Sequence, residues 1–194
     1  MVDRHQLVKV LSDAFEGNPS IDLVVGEGSG ARERLECLME YSLKLCEKRG
    51  KVITNEEGTA VLLALHSRQK IPWFQQLKLD LVFAFQVLGW KRIYPVLKRE
   101  ILIKSLHPKS AYWHLWFIGV APNYQGKGEG AALIQKLFAE NLEALPVFLE
   151  TSVPRNLPLY KRFGFEVIQK MNTGFPLYIM KAANEKKEHC SLDS

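Results

Sequence analysis

The segment with the clearest chemical potential is Gln125-Gly126-Lys127-Gly128-Glu129-Gly130. Its three glycines let the backbone come close to a ligand without side-chain clashes. An apolar, strand-like run precedes the segment and a helical pattern follows it, so unpaired backbone N–H groups are expected at a helix start. The helix dipole adds roughly half a positive charge there, and Lys127 adds a mobile one. These features predict a site for a phosphate or diphosphate group.

Two known phosphate-binding patterns can be compared with this loop. A Walker loop requires Ser or Thr after its lysine, and no hydroxyl residue follows Lys127, so that pattern is excluded. The dinucleotide fingerprint G-x-G-x-x-[GA] fits Gly126, Gly128 and Ala131. Glu150 follows about 20 residues later, as a ribose ligand would. Against a dinucleotide fold, the link from the preceding strand is long and the earlier chain lacks strand–helix alternation.

A third pattern explains more of the same stretch. Between Ile118 and Gly130 the sequence has a V-x-P ending at Pro122, followed by Gln125, Gly128 and Gly130. This resembles the GNAT superfamily of N-acetyltransferases, in which V-x-P closes a strand and [RQ]-x-x-G-x-[GA] precedes a helix. The resemblance implies acetyl-CoA, or another short acyl-CoA, as co-substrate, and no metal.

A second segment, Leu159 to Phe165, resembles the L-Y-x-x-x-G-F segment of the same family. It follows the loop after one predicted helix and one predicted strand, and two ordered motifs are more specific than either alone. The resemblance covers residues 112–180. Many members carry Asn seven residues before the tyrosine, where this sequence has Val153, so Asn156 is the nearest candidate.

The resemblance implies a set of residues that contact the acyl-CoA. Most belong to the glycine loop, two belong to the strand before it, and one lies before Tyr160. The set is Ile118, Val120, Gln125, Gly126, Lys127, Gly128, Glu129, Gly130, Ala131 and Asn156.

Attack of an amine on a thioester needs a base, an oxyanion donor and an acid. Tyr160 is the expected acid, because a phenol with a pKa near 10 can protonate a departing thiolate, and the resemblance assigns it this role. The resemblance also gives the oxyanion donor as the backbone N–H of Val120. Gly119 would ease a strand irregularity beside it.

For the base, Glu150 is the leading candidate because it ends a predicted strand near the cleft. His114 has a suitable pKa range, and a water chain is a third possibility. Strand alternation places His114, Trp116, Ile118 and Val120 on one face.

The pattern of apolar residues predicts an α+β fold, and the resemblance implies a GNAT-like mixed, mostly antiparallel central sheet flanked by helices. A hairpin is expected over 51–65, and a helical insert at about 73–105, before the fourth strand, with a break near Gly89 or Pro95. A helix over 128–143 would bury a stripe that ends at Leu142. Residues 1–182 would form one domain, followed by a polar tail over 183–194.

Charge and cysteine content bound the partners. The net charge of +5 is spread along the chain rather than blocked, which argues against nucleic acid. The apolar run 81–90 is too short to span a membrane. Cys37, Cys46 and Cys190 form no disulfide or zinc pattern, which favours reduced thiols and the cytoplasm. For the oligomeric state, a monomer and a homodimer both remain open, since no feature decides between them.

The expected activity is transfer of an acetyl group from acetyl-CoA to the primary amine of a small, antibiotic-like molecule by direct attack in a ternary complex. Two alternatives remain open: a non-catalytic acyl-CoA sensor and, through the fingerprint above, a dinucleotide-binding oxidoreductase. Aromatic residues of the insert would wall the acceptor side if they line a pocket, namely Trp73, Phe74, Phe83, Phe85, Trp90 and Tyr94.

Overall fold

The computed structural model describes residues 2–183 and divides them into seven α-helices and six strands. The helices are α1 (Arg4–Phe15), α2 (Pro19–Val25), α3 (Ala31–Arg49), α4 (Trp73–Phe83), α5 (Gly89–Leu106), α6 (Glu129–Ala139) and α7 (Leu157–Lys161). The strands are β1 (Gly50–Thr54), β2 (Ala60–His66), β3 (Trp113–Val120), β4 (Val147–Thr151), β5 (Phe165–Asn172) and β6 (Pro176–Ala182).

All six strands form one sheet in the order β1-β2-β3-β4-β6-β5. Every neighbouring pair is antiparallel except β3 with β4, which is parallel. The mixed, mostly antiparallel sheet of the predicted α+β fold is therefore confirmed. A sheet with one parallel pair is not the parallel sheet on which a dinucleotide fold depends, so the structure argues against the oxidoreductase alternative.

Two apolar cores lie on opposite faces of the sheet. On one face, α1, α2 and α3 pack around Leu11, Met39 and Phe117. On the other, α6 and α7 pack around Ile134, Leu149 and the ring of Tyr160. Residues that alternate along a strand thus enter different cores. The face on which a site residue lies can therefore be inferred from the core that its strand neighbours join.

A β-bulge in β3 changes those faces halfway along the strand. Leu63 lies opposite Phe117 and Ala64 opposite Leu115, so Trp116 is an extra residue on β3. As a result, Leu115 joins the core on the α6 side whereas Phe117 joins the α1 side. The prediction that His114, Trp116, Ile118 and Val120 share one face was wrong, because simple alternation fails across a bulge.

The helical insert is confirmed, and the structure shows how it is joined. The chain stays helical from Trp73 to Leu106, with a single π-helical turn at Ala84–Leu88 between α4 and α5. The predicted break near Gly89 corresponds to this turn, whereas Pro95 lies inside α5. The insert was expected before the fourth strand but precedes the third, β3, because residues 2–49 form only helices and loops and β1 and β2 are the only strands before it.

Helix α6 is shorter than predicted. It ends at Ala139, and the Asn141 side chain then closes a loop by donating to the Leu145 carbonyl at 2.6 Å and accepting from its N–H at 3.1 Å. Leu142 was expected to be buried but is 78% exposed, because the loop turns it away from the sheet.

Two expectations fall largely outside the described residues. The polar tail lies beyond them from residue 184 onward, and so does Cys190.

Within 2–183, no helix combines the length and apolar character needed to cross a membrane.

Gly119 lies on the part of β3 that separates from β4, since the two strands pair only at Trp113 and His114, and α1 packs closely against it. A Cβ on Gly119 would lie 3.1 Å from Ala14 Cβ and 3.2 Å from Leu11 Cδ2. G119A should therefore lower the free energy of unfolding by about 1–3 kcal/mol through overpacking, measured by urea denaturation. Adding A14G, which removes one clashing methyl, should recover part of the loss. Strictly additive effects of the two substitutions would contradict this explanation.

Candidate active site

The site is organised by the divergence of β3 from β4. The two strands pair only at their first residues, Trp113 opposite Val147 and His114 opposite Phe148. Beyond these positions each strand continues without the other, so a gap opens in the middle of the sheet. Side chains from both faces can reach this gap, and backbone groups along its edges lack sheet partners.

The backbone of β3 beyond the bulge presents hydrogen-bonding groups to this gap. Ala121 N–H donates to the Thr59 carbonyl on the β2 side at 2.8 Å. Because inward and outward pairs alternate in an antiparallel ladder, the N–H and C=O groups of Ile118 and Val120 point away from β2. They face the side on which β4 would otherwise pair.

The glycine loop follows directly and leads into α6. Gly126 and Gly128 adopt positive φ angles of 78° and 89°, which favour glycine, and a Cβ on either would meet nothing within 4 Å. Gly128 is the N-cap of α6, and its carbonyl accepts from Ala132 N–H at 3.0 Å. The N–H groups of Glu129, Gly130 and Ala131 precede the first helical bond, so the open loop can cradle a diphosphate.

Side chains hold this loop in place from three directions. Gln125 Nε2 donates to the Val120 carbonyl at 3.1 Å, which fixes the turn out of β3. Asn55 Nδ2 donates to Glu129 Oε2 at 3.0 Å, so the Glu129 carboxylate is tied to the β1–β2 turn. The Lys127 ammonium lies 4.9 Å from the Tyr124 ring centre. The Glu129 carboxylate is therefore engaged within the protein, and its backbone N–H is the group left for the predicted contact.

On the α1–α3 face of the gap, a carboxylate is clasped by two imidazoles. Glu150 Oε2 lies 2.6 Å from His114 Nε2, and Glu150 Oε1 lies 2.8 Å from His107 Nε2. His107 Nδ1 in turn lies 2.9 Å from the Tyr112 hydroxyl. All hydrogen bonds are satisfied if Tyr112 donates to Nδ1 and both Nε2–H groups donate to Glu150. This assignment leaves His114 Nδ1 as the free basic atom.

The same contacts shift the ionisation of the cluster. Burial alone would raise the pKa of Glu150, but the two imidazoles hold it well below its ordinary value. For His114, burial acts to lower the pKa, and the charge and hydrogen bond of Glu150 override it and raise the pKa above 6.5. Burial, and secondarily Glu150, raises the pKa of Tyr112. Glu150 is thus an ionised carboxylate and His114 a strengthened base.

Tyr160 approaches the gap from the opposite face. Its ring packs against Phe165 at 5.9 Å, and the residue is only 6% exposed. Burial raises the pKa of Tyr160 to about 12, which keeps the hydroxyl protonated at neutral pH. Asn156 lies at the start of α7, and both residues line the same cavity as His114 and Glu150. The structure thus brings the predicted acid and both predicted base candidates to one cavity.

This cavity has a volume of about 900 Å³ and extends from the gap towards the insert. Its apolar wall includes Phe15, Tyr41, Phe83 and Trp116. Phe83 stacks on Tyr41 at 4.8 Å.

The expected contribution of the insert aromatics was wrong for most of them. Phe83 lines the cavity, whereas Trp73, Phe74, Phe85 and Tyr94 are exposed and do not line it. The Trp90 side chain lies outside the described part of the structure. Four of these aromatics therefore lie away from the cavity rather than walling it.

Two members of the cluster, His107 and Tyr112, were not found from the sequence. Both lie in the connection between the insert and β3, which carries no motif. A histidine seven residues before His114 was the only available signal, and spacing across an irregular connection does not predict contact.

Comparison with known proteins supports the same family. Residues 86–167 match the family model described as an acetyltransferase (GNAT) domain. An uncharacterized N-acetyltransferase of Schizosaccharomyces pombe is 39% identical over 74 residues, which cover 35% of this chain and 30% of that protein. The chain therefore matches less than a third of that curated relative's length.

Solved structures match over almost the full chain. One, from Corynebacterium glutamicum, is described as histone acetyltransferase HPA2 and related acetyltransferase; it has a TM-score of 0.66 and 21% identity, covering 94% of this chain and 93% of that one. Arylalkylamine N-acetyltransferase 2 from Aedes aegypti has a TM-score of 0.59 and 16% identity, covering 92% and 93%. At these identities the likeness shows the fold.

The open sheet and the loop between β3 and α6 are the fold of the acetyltransferase structures that the chain matches, and the family match over residues 86–167 includes β3, the loop, α6, β4 and α7. Over residues 86–167, which are 82 of its 194 residues, the chain is similar to the GNAT acetyltransferase domain.

The loop geometry makes a prediction about the co-substrate. In G128A, the added methyl group destabilises the positive-φ conformation of residue 128 by about 1–2 kcal/mol. A backbone change that relieves this strain would reorient the peptide N–H groups that precede α6. Acetyl-CoA affinity, measured by calorimetric titration, should fall at least ten-fold. The matched control is G174A, because Gly174 has a φ of 94°, equally open surroundings, and a position in the β5–β6 turn. Equal affinity losses in both variants would contradict a specific role for the loop.

Proposed function

We propose that this protein transfers an acetyl group from acetyl-CoA to the primary amine of a small molecule by direct attack. The observation that carries the proposal is the convergence of His114, Glu150 and Tyr160 on one cavity at the gap between β3 and β4. A sensor that only binds acyl-CoA would need the loop, but it would not need a base and an acid beside it.

The loop and the edge of β3 would hold the donor. Acetyl-CoA supplies an activated thioester carbonyl when it is bound. The N–H groups at the start of α6 and the Lys127 ammonium suit its diphosphate, with Asn156 near the other side of the gap. The outward backbone groups of Ile118 and Val120 suit an extended amide-containing arm. Val120 N–H is placed to stabilise negative charge on the carbonyl oxygen.

We assign proton removal to His114 and positioning to Glu150. Both Glu150 oxygens already accept hydrogen bonds from imidazoles, so direct proton abstraction by Glu150 would require one of them to break. His114 Nδ1 has no such engagement within residues 2–183. Glu150 fixes the ring and raises its basicity, in the manner of a carboxylate that orients a catalytic histidine.

The acceptor is proposed to combine an amine with an apolar or aromatic part. The cavity size is within the range of small-molecule sites, about 300–1,000 Å³. Its wall offers stacked aromatic rings, and Glu16, Asp80 and Glu100 also line it. Arg49, Arg99, Lys104 and Arg155 line the same cavity, so its charges are balanced and the aromatic rings support the proposed preference. An antibiotic-like amine of this size satisfies the same requirements.

Tyr160 is proposed to protonate the departing thiolate. Y160F should lower the amine-dependent release of CoA thiol by about 10²–10⁴-fold, measured across a panel of aromatic and aliphatic primary amines. The melting temperature and its increase with acetyl-CoA should stay close to those of the parent, since the ring is kept. Unchanged turnover in Y160F would overturn the assignment, and stabilisation by NAD rather than acetyl-CoA would overturn the function.

The His114–Glu150 contact predicts a pH dependence. Because Glu150 raises the pKa of His114, the base form increases as pH rises, and kcat/KM should climb through an apparent pKa above 6.5. In E150Q the raising charge is lost while burial still lowers the pKa. The rising limb should therefore move to lower pH, with a plateau at least ten-fold lower.

A control variant at an exposed carboxylate separates the shift in the pH profile caused by Glu150 from ionisation of the amine substrate. Ionisation of the substrate affects the pH profiles of all variants alike. E166Q changes a residue on the outer surface of β5 and should keep the parent profile. An E150Q profile that falls in height without moving along the pH axis would contradict the proposed coupling.

A further inference from the structure

The insert carries apolar side chains on both of its sides. One side, with Val87, Leu88, Val96 and Ile103, is buried against the rest of the protein. The opposite side, here called the outer face, is exposed and consists of Trp73, Phe74, Leu77, Leu81, Val82, Tyr94, Ile101 and Leu102. Leu97 lies at its edge, because it is exposed and also lines the cavity. Trp73, Tyr94 and Ile101 are 77%, 75% and 68% exposed.

Exposure on this scale is unusual for a water-facing helix. Single exposed apolar residues are ordinary, but a contiguous apolar surface marks an interaction site. The outer face therefore indicates a partner surface that is itself apolar at least in part.

The charge of the same segment identifies the kind of partner. Residues 68–109 contain nine basic and two acidic residues, a net charge of +7, whereas the whole chain has +5. The remainder of the chain is thus net negative. Lys70, Lys78 and Lys98 are exposed and do not line the cavity, and none forms an ion pair with a residue that the structure describes.

We propose that the outer face docks on an anionic lipid surface. Trp73, Tyr94 and the aliphatic side chains would enter the interfacial region, and the exposed lysines would contact the negative headgroups. A helix that lies in the interface needs only this one-sided burial and no membrane-spanning length. The inner face of the same helix lines the candidate acceptor cavity, so docking would bring that cavity close to the lipid.

Two other occupants fit the surface less well. A second copy of this chain would set two faces of net positive charge against each other, which opposes association. A nucleic acid would match the charge, but Leu77, Leu81 and Ile101 offer neither hydrogen bonds nor stacking to it.

The test is co-sedimentation of the full-length protein with vesicles of phosphatidylcholine alone or mixed with phosphatidylserine. The protein should bind the mixed vesicles more tightly, and added salt should weaken the binding. W73S/I101S and K78E/K98E should each weaken binding at least ten-fold. Acetyl-CoA is not needed, so failure here would leave the proposed transferase function untouched.

Matched controls use exposed residues elsewhere on the surface. L142S/I168S removes two exposed apolar side chains, and K136E/K170E reverses two exposed lysines; both should bind vesicles like the parent. Equal binding to both vesicle types, or equal losses in the control variants, would overturn the proposal. A concentration-dependent dimer in light scattering that W73S/I101S abolishes would also overturn it, by assigning the outer face to a second copy.

Discussion

The separation of β3 from β4 is the constraint on which the rest of the site depends. Two parallel strands that remained paired would saturate each other's backbone groups and keep the two faces of the sheet apart. Here the pairing stops after His114 and Phe148. Tyr160 can then reach from the α6 side to the same space as His114 and Glu150 on the α1 side.

The carboxylate between two imidazoles shows how a buried charge is tolerated at this position. An isolated ionised carboxylate in such surroundings would be strongly destabilised. Two N–H donors satisfy both Glu150 oxygens, and Tyr112 satisfies the outer nitrogen of His107. The network fixes the His114 ring on a strand, which is a more rigid support than a loop. It leaves His114 Nδ1 without a hydrogen bond to the network.

Local chemistry made much of this structure predictable. The glycine spacing predicted the loop between β3 and α6, and the apolar periods predicted the hairpin and the insert. Failures occurred where non-local packing decides. The bulge at Trp116 reverses the faces of β3, and it depends on pairing with β2. His107 meets Glu150 only because the insert returns the chain to the start of β3. The site role of each residue stays a prediction.

The central claim is that the gap beside β3 and the loop after it form one acyl-CoA site. Backbone amide chemical shifts of the isotope-labelled protein, followed during titration with acetyl-CoA, test this claim most directly. The account predicts that the largest changes fall on Ile118, Val120 and the amides from Gly126 to Ala131, with smaller ones at Asn156. Changes confined to other surfaces, or saturable changes at these amides with NAD but not with acetyl-CoA, would contradict it.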